Sequence, residues 1–134
     1  MEEFNNLDHN FKEQVMSRPG GERAANCFLC GTCTAGCPVS NLDKEYNPRR
    51  IIRQVLLGMK KEVLESPEIW QCSQCHVCVA HCPQDVRLAD VIRVLRQMAV
   101  EEGYVSKEVA EEVERIDEEL KKQRIEKIKE LTRR

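Results

Sequence analysis

Aromatic residues are scarce in this chain of 134 residues, which holds one tryptophan, two tyrosines and three phenylalanines. With so few large side chains the hydrophobic core is thin for a chain of this length. We therefore expect cross-links of another kind, such as bonds to a metal centre, to help hold the fold together. The length suits one domain and little more.

Long apolar runs and basic blocks are missing as well. No apolar stretch reaches the roughly 20 residues that a membrane-spanning helix needs. The 21 basic and 23 acidic residues are mixed along the chain and give a net charge of −2, which argues against nucleic acid as a partner. No signal peptide is recognisable, so we expect a soluble protein of the reducing cytoplasm with no direct membrane insertion.

Cysteine is abundant, and all eight cysteines belong to two runs with the same spacing. The first run is Cys27-x-x-Cys30-x-x-Cys33-x-x-x-Cys37-Pro38, and the second, 45 residues later, is Cys72-x-x-Cys75-x-x-Cys78-x-x-x-Cys82-Pro83. This run is a bacterial iron–sulfur motif, in which three closely spaced thiolates bind one cluster and the fourth binds the other. The doubled run predicts two [4Fe–4S] clusters.

The predicted ligand sets cross between the two runs, because each fourth cysteine serves the cluster of the other run. The first cluster takes Cys27, Cys30, Cys33 and Cys82. The second cluster takes Cys72, Cys75, Cys78 and Cys37. Such crossing would join the two halves of the domain.

Three other uses of these cysteines are less consistent with the sequence. A structural zinc site needs four ligands in two pairs, which leaves the third cysteine of each run without a role. A disulfide framework needs a secreted chain, and a redox-active Cys-x-x-Cys needs a surrounding βαβ pattern. His76 and His81 lie inside the second run, but four thiolates per cluster make ligation by histidine unnecessary. The second run also lacks glycine between its cysteines, so we expect a less open loop there.

Hydrophobic periodicity and capping residues predict an all-α fold around the two runs. Asn47-Pro48 and Ser66-Pro67 are typical helix starts, and Ile51–Met59 carries an apolar face. A further helix over 88–102 ends before Gly103. We expect these two longer helices to pack on each other, and Trp70 to pack in the core and shield a cluster from water.

The ends of the chain fall outside this core. Residues 1–21, with Phe4, Leu7, Phe11 and Val15 on one face, form either a packing segment or a docking arm. Residues 22–105 form the two-cluster domain, and 106–134 a charged helix capped by Ser106. The narrow apolar stripe of that helix fits either a solvated helix or contact with a partner.

Several segments of the sequence resemble those of a known family. The doubled motif with an intervening helix resembles the alpha-helical ferredoxin domain, and more specifically the C subunit of heterodisulfide reductase. The resemblance covers about residues 20–105 and rests on Cys30-Gly31-Thr32-Cys33-Thr34-Ala35-Gly36-Cys37-Pro38, Asn47-Pro48-Arg49-Arg50-Ile51-Ile52, Ile69-Trp70-Gln71-Cys72 and the stretch from Val91 to Gly103.

The resemblance implies an electron-transfer subunit, not an enzyme by itself. In the family this protein links a flavin-containing A subunit to a B subunit whose clusters are held by Cys-Cys-Gly motifs. No Cys-Cys pair occurs here, so we expect the catalytic part on another polypeptide. Two alternatives stay open, a free diffusible two-cluster ferredoxin and an iron–sulfur subunit of another anaerobic dehydrogenase complex. A cluster-bearing structural or sensor module is a third.

Overall fold

The computed structural model describes residues 6–133 of the chain, and within that range every regular element is helical. The all-α prediction is therefore confirmed. In this part of the chain nine α-helices follow in order, with one short 3₁₀ turn at Ala24–Asn26 after the first. They are α1 (Phe11–Met16), α2 (Thr32–Ala35), α3 (Pro38–Leu42), α4 (Pro48–Leu56), α5 (Lys60–Glu65), α6 (Glu68–Gln71), α7 (Val77–His81), α8 (Leu88–Glu101) and α9 (Lys107–Thr132).

The start of α4 follows from its sequence. The Asn47 side chain accepts a hydrogen bond of 3.0 Å from the backbone N–H of Arg50, as an N-cap does, and Pro48 occupies the first helical position. Tyr46, which precedes the cap, is 2% exposed. A hydrophobic residue at this position commonly packs against the fourth helical residue, here the buried Ile51. The local sequence thus fixes where the chain enters the core.

Helices α4 and α8 contribute to one hydrophobic core. A third helix, α5, lies against both of them. Helix α5 places Val63 and Leu64 fully in the core. It was not predicted because only these two residues interrupt a run of lysine and glutamate. The longer helices still share one continuous core, which α5 helps to close.

The N-terminal segment is packed into that core from Phe11 onward. Phe11 and Val15, one turn apart on α1, are both 0% exposed. The segment reaches the end of α4 through a backbone hydrogen bond of 2.8 Å from the Asp8 N–H to the Gly58 carbonyl. Gly58 has a positive φ of 77°, and a Cβ there would lie 2.5 Å from the Asp8 carbonyl oxygen. Phe4 lies outside the described residues.

The last two helices differ sharply in burial. Helix α8 ends at Glu101, before Gly103, as predicted, and eight of its residues are buried. Helix α9 is capped by Ser106, whose side chain accepts a hydrogen bond from the Val109 N–H at 3.4 Å. None of the described residues of α9 is buried. No helix within residues 6–133 combines the length and the apolarity needed to cross a membrane.

Candidate iron–sulfur centre

The two cysteine runs follow the same backbone path. Leu29 and Gln74, 45 residues apart, both have positive φ, at 61° and 54°. Gly31 and His76, also 45 residues apart, have φ of 84° and 62°, and each precedes the short helix that carries the third cysteine. The lack of glycine in the second run therefore does not change the turn, because His76 adopts the left-handed conformation there.

The short helices of the two runs pack on each other. Helices α2 and α7 occupy equivalent positions in the repeat and approach each other as closely as any two helices of the described chain. Their contact relates the two loops by an approximate twofold arrangement. The fourth cysteine of each run follows its short helix and leads to Pro38 or Pro83. Each fourth cysteine is thereby carried toward the loop of the other run.

The first cavity lies beside the first run. Its wall includes the four thiols that the sequence assigns to the first cluster, namely those of Cys27, Cys30, Cys33 and Cys82. Cys37, the fourth cysteine of the first run, is not among its lining residues. Apolar side chains, including Ile52 and Val86, form much of the remaining wall.

The second cavity lies beside the second run. Its wall includes the four thiols that the sequence assigns to the second cluster, namely those of Cys72, Cys75, Cys78 and Cys37. Cys82 is absent from this wall. Cys78 and Leu88 line both cavities, so the two cavities are immediate neighbours.

Hydrogen-bond donors surround the thiols. The Leu29 N–H donates to Cys27 Sγ at 3.3 Å, and the Val86 N–H donates to Cys82 Sγ at 3.5 Å. Thr32 Oγ1 lies 3.3 Å from Cys30 Sγ. In the second run the Gln74 amide donates to Cys72 Sγ at 3.4 Å. Donors placed in this way stabilise thiolates and help set the reduction potential of a bound cluster.

The thiols fit an iron–sulfur cluster on electrostatic grounds. Burial raises the pKa of Cys27 and Cys33, and it raises the pKa of Cys78 to about 11. Hydrogen bonding to Thr32 instead lowers the pKa of the exposed Cys30. Buried thiolates are costly unless a cationic group compensates their charge. Iron supplies that compensation, since metal ligands bind as thiolates.

The arrangement does not fit a single metal ion. Within residues 6–133, no three histidine, cysteine, aspartate or glutamate side chains converge closely enough to hold one ion. A mononuclear zinc site needs such convergence, whereas a cubane holds its four cysteines apart at separate iron atoms. All eight cysteines are free thiols in the structure. The cavities therefore suit clusters rather than zinc or disulfides.

Three further residues of the site were not among the predicted site residues. Arg49 lines the first cavity and donates from Nε to the Leu29 carbonyl at 2.7 Å. Arg96 donates to three carbonyls just before and within the second run, those of Ile69, Trp70 and Cys72, at 2.7, 3.2 and 2.7 Å. Tyr46 lines the second cavity, where burial and the nearby Cys72 thiolate raise its pKa. Tyr46 had one local indication of its burial, since it directly precedes the Asn47 cap.

The expectation for Trp70 is partly wrong. Its ring packs against the core, and the Arg96 guanidinium lies 5.4 Å from the ring centroid. However, Trp70 lines neither cavity and instead borders an open groove between α8 and α9. The cavity walls contain other aromatic residues, Phe28 at the first and Tyr46 at the second. Phe28 lies inside the first run, whereas the place of Tyr46 does not follow from the spacing of the cysteines.

Comparison with known proteins agrees with a site for two clusters. A family model described as a 4Fe-4S dicluster domain matches residues 26–87. The C subunit of the H(2):CoB-CoM heterodisulfide,ferredoxin reductase of Methanothermobacter thermautotrophicus is 37% identical over 101 residues, 75% of this chain and 54% of the relative. The second iron-sulfur C subunit of the CoB--CoM heterodisulfide reductase of Methanocaldococcus jannaschii is 43% identical over 80 residues, 60% of this chain and 42% of the relative. This chain spans about half the length of these relatives.

The fold and the doubled motif together define a dicluster iron–sulfur protein of the alpha-helical ferredoxin type, which holds two [4Fe–4S] clusters. Within that class, the chain is similar to the heterodisulfide reductase C subunits, of whose length it spans about half. The fold class, predicted from hydrophobic periodicity and capping residues, is confirmed. The cofactors, predicted from the spacing of the cysteines, are also confirmed.

Proposed function

We propose that this protein is the electron-transfer subunit of a heterodisulfide reductase-like complex in the cytoplasm. It would relay electrons between a flavin-containing A-type subunit and a B-type subunit with Cys-Cys-Gly motifs, and would itself catalyse no reaction. The observation that carries the proposal is a pair of adjacent cavities, each of which includes in its wall the first three cysteines of one run and the fourth of the other, with Cys78 shared by both walls. The similarity to named C subunits supports the type of complex.

The proposed ligands are those of the crossed assignment. Cys27, Cys30, Cys33 and Cys82 hold the cluster of the first cavity. Cys72, Cys75, Cys78 and Cys37 hold that of the second. A [4Fe–4S] cluster supplies one-electron transfer at a potential set by hydrogen bonding and solvent exposure.

The surrounding residues perform two tasks in this proposal. Leu88, which lines both cavities, excludes water between the two sites and keeps them close. The Leu29 and Val86 N–H groups and the Gln74 amide donate to ligand sulfurs and fix their orientation. Cys30 and Cys75 are exposed, which gives each site an edge at the surface where a partner can approach.

Anaerobic affinity purification of the tagged protein from its native cell tests this function. We expect stable co-purification of a flavoprotein and of a protein with Cys-Cys-Gly motifs, together with reduction of the clusters when the donor of the flavoprotein is added. A monomeric pool that carries both clusters but retains neither partner would contradict the proposal and favour a free ferredoxin. Recovery with a dehydrogenase lacking Cys-Cys-Gly motifs would favour the other alternative.

A further inference from the structure

The C-terminal helix leaves the domain after its first turns. Ala110, Val113 and Asp117 are half-buried where α9 approaches α8, and every residue from 118 to 133 is exposed. Apolar side chains nevertheless continue along this outer part. Five of them are 41% to 76% exposed, namely Ile116, Leu120, Ile125, Ile128 and Leu131. Single exposed apolar residues are ordinary, but a repeated series on one helix indicates a contact surface.

These side chains form a continuous stripe when Arg124 is included. The stripe consists of Val109, Val113, Ile116, Leu120, Arg124, Ile128 and Leu131, separated by 4, 3, 4, 4, 4 and 3 positions. Such spacing keeps all seven on one side of an α-helix. The aliphatic part of an arginine can cover apolar surface while its guanidinium reaches the edge, so Arg124 does not interrupt the stripe. Ile125 widens it on one flank.

Charge is segregated along the same helix. Residues 107–119 contain seven acidic and two basic side chains, whereas residues 121–133 contain six basic and two acidic ones. Leu120 lies between the two halves. A parallel pair of these helices would place like charges opposite each other along its whole length. An antiparallel pair would place the acidic half of each helix against the basic half of the other.

The stripe is close to symmetric about Leu120, which is what an antiparallel pair of identical helices requires. With the twofold axis at Leu120, Val109 is level with Leu131 of the second copy, Val113 lies within one residue of Ile128, and Ile116 is level with Arg124. The same register places Glu111 level with Lys129, Glu118 with Lys122, and Glu119 with Lys121. Apolar positions and opposite charges therefore match in one alignment.

We propose that α9 is a homodimerisation helix, and that its stripe, exposed at every position except the half-buried Val113, packs antiparallel against α9 of a second copy of this chain. The occupant is a second copy because the stripe and the charges are complementary to themselves in this register. The inference does not depend on the electron-transfer role. It predicts a dimer that places two cluster domains at opposite ends of a paired 26-residue helix, about 39 Å long.

Sedimentation equilibrium of the full, cluster-loaded chain under anaerobic conditions provides the test. We expect a mass of twice the 15.5 kDa of one chain, with dissociation favoured as salt rises from about 0.05 M to about 0.5 M. The triple variant Lys121→Glu, Lys122→Glu and Arg124→Glu should be a monomer, because both halves of its helix are acidic. The triple variant Glu111→Lys, Glu118→Lys and Glu119→Lys should also be a monomer, because both halves of its helix then have a net positive charge.

Mixing the two triple variants distinguishes lost complementarity from misfolding. An equimolar mixture should restore a heterodimer, since each helix half then faces the opposite charge. The matched control is the triple variant Lys44→Glu, Arg53→Glu and Lys61→Glu on the exposed surface of the domain. It changes the net charge as much as the first triple variant does and should leave the dimer intact.

A zero-length lysine–carboxylate cross-linker reports the orientation. Lys129 and Glu111 lie about 27 Å apart along one helix, so a link between them joins two copies in antiparallel order. We expect this link in the wild-type protein and its loss in either triple variant alone. A wild-type protein that is monomeric throughout a concentration series overturns the proposal, as does a dimer that survives either charge reversal or a mixture that stays monomeric.

Discussion

The two cysteine loops share one backbone path but lie in different surroundings. Equivalent residues take the same left-handed turns, whether the residue is Gly31 or His76. The first loop is open, since Phe28 is 59% exposed and one exposed arginine, Arg49, ties the loop to α4. The second loop is held by the half-buried Arg96 and bordered by the buried Tyr46. The repeat therefore determines the path of the chain, and residues distant in sequence determine how tightly each copy is held.

Removal of the clusters should have the largest effect and should separate the two loops. With few aromatic residues, the domain relies on thiolate–iron bonds between its halves, so the apo protein should lose cooperative unfolding. Hydrogen exchange should rise further at 27–37 than at 72–82, because Arg96 still bonds three carbonyls at the second run. Helix α9 provides an internal reference. Equal exchange in both loops, or better protection of the first, would contradict the comparison.

The two arginines should differ in their contribution to stability. Arg96→Ala removes three hydrogen bonds from a half-buried guanidinium and should cost about 3 kcal/mol in the free energy of unfolding. Arg49→Ala removes one bond at an exposed position and should cost about 1 kcal/mol. Anaerobic urea unfolding of the cluster-loaded variants measures both values. Similar costs for the two variants would show that the second loop is no more tightly held than the first.

Substitutions at the two equivalent turns should change the free energy of unfolding in opposite directions. Gly31→Ala should destabilise by about 1 kcal/mol, since φ is 84° there. The cost comes from the backbone, because an added Cβ meets only Arg49 Cδ at 3.4 Å. His76→Gly relieves a left-handed histidine and should stabilise by about 0.5 kcal/mol. The same urea series reports both, and a destabilised His76→Gly would mean that the histidine side chain has a role of its own.

The smallest predicted effect concerns the potential of the second cluster. Tyr46 and Cys72 line the same cavity, where burial and the Cys72 thiolate raise the pKa of the Tyr46 hydroxyl. Tyr46→Phe should lower the midpoint potential of that cluster by on the order of 40 mV, the equivalent of about 1 kcal/mol for one electron. Redox titration followed by electron paramagnetic resonance measures the shift. Tyr104→Phe, at an exposed tyrosine that lines neither cavity, is the matched control and should leave both potentials unchanged.

Local signals predicted the parts of the fold that local chemistry determines. The cap at Asn47, the cap at Ser106 and the end of α8 before Gly103 were all predicted, because each depends on residues within one turn. The cofactor was predicted because eight thiols at fixed spacing permit few other uses. Helix α5 was missed because its two buried residues are too few to produce a periodic pattern.

The remaining parts of the site depend on contacts between distant residues. Arg96 lies 24 positions from Cys72 in sequence, and Arg49 lies 20 positions from Leu29. No periodicity relates such pairs, so the sequence pattern did not place either arginine at the site. Trp70 packs against the core as expected, but its closeness to Cys72 in sequence did not reveal that it borders the groove between α8 and α9.

The crossed ligand assignment is the central claim, and iron analysis of two double variants tests it most directly. If Cys82 serves the first cluster, Cys27→Ser with Cys82→Ser removes ligands from one cluster only, and about four irons should remain. Cys72→Ser with Cys82→Ser then damages both clusters and should leave almost none. Ser73→Ala, at a lining residue without a thiol, should retain about eight. The reverse pattern, with iron lost from the first pair and half kept in the second, would contradict the account.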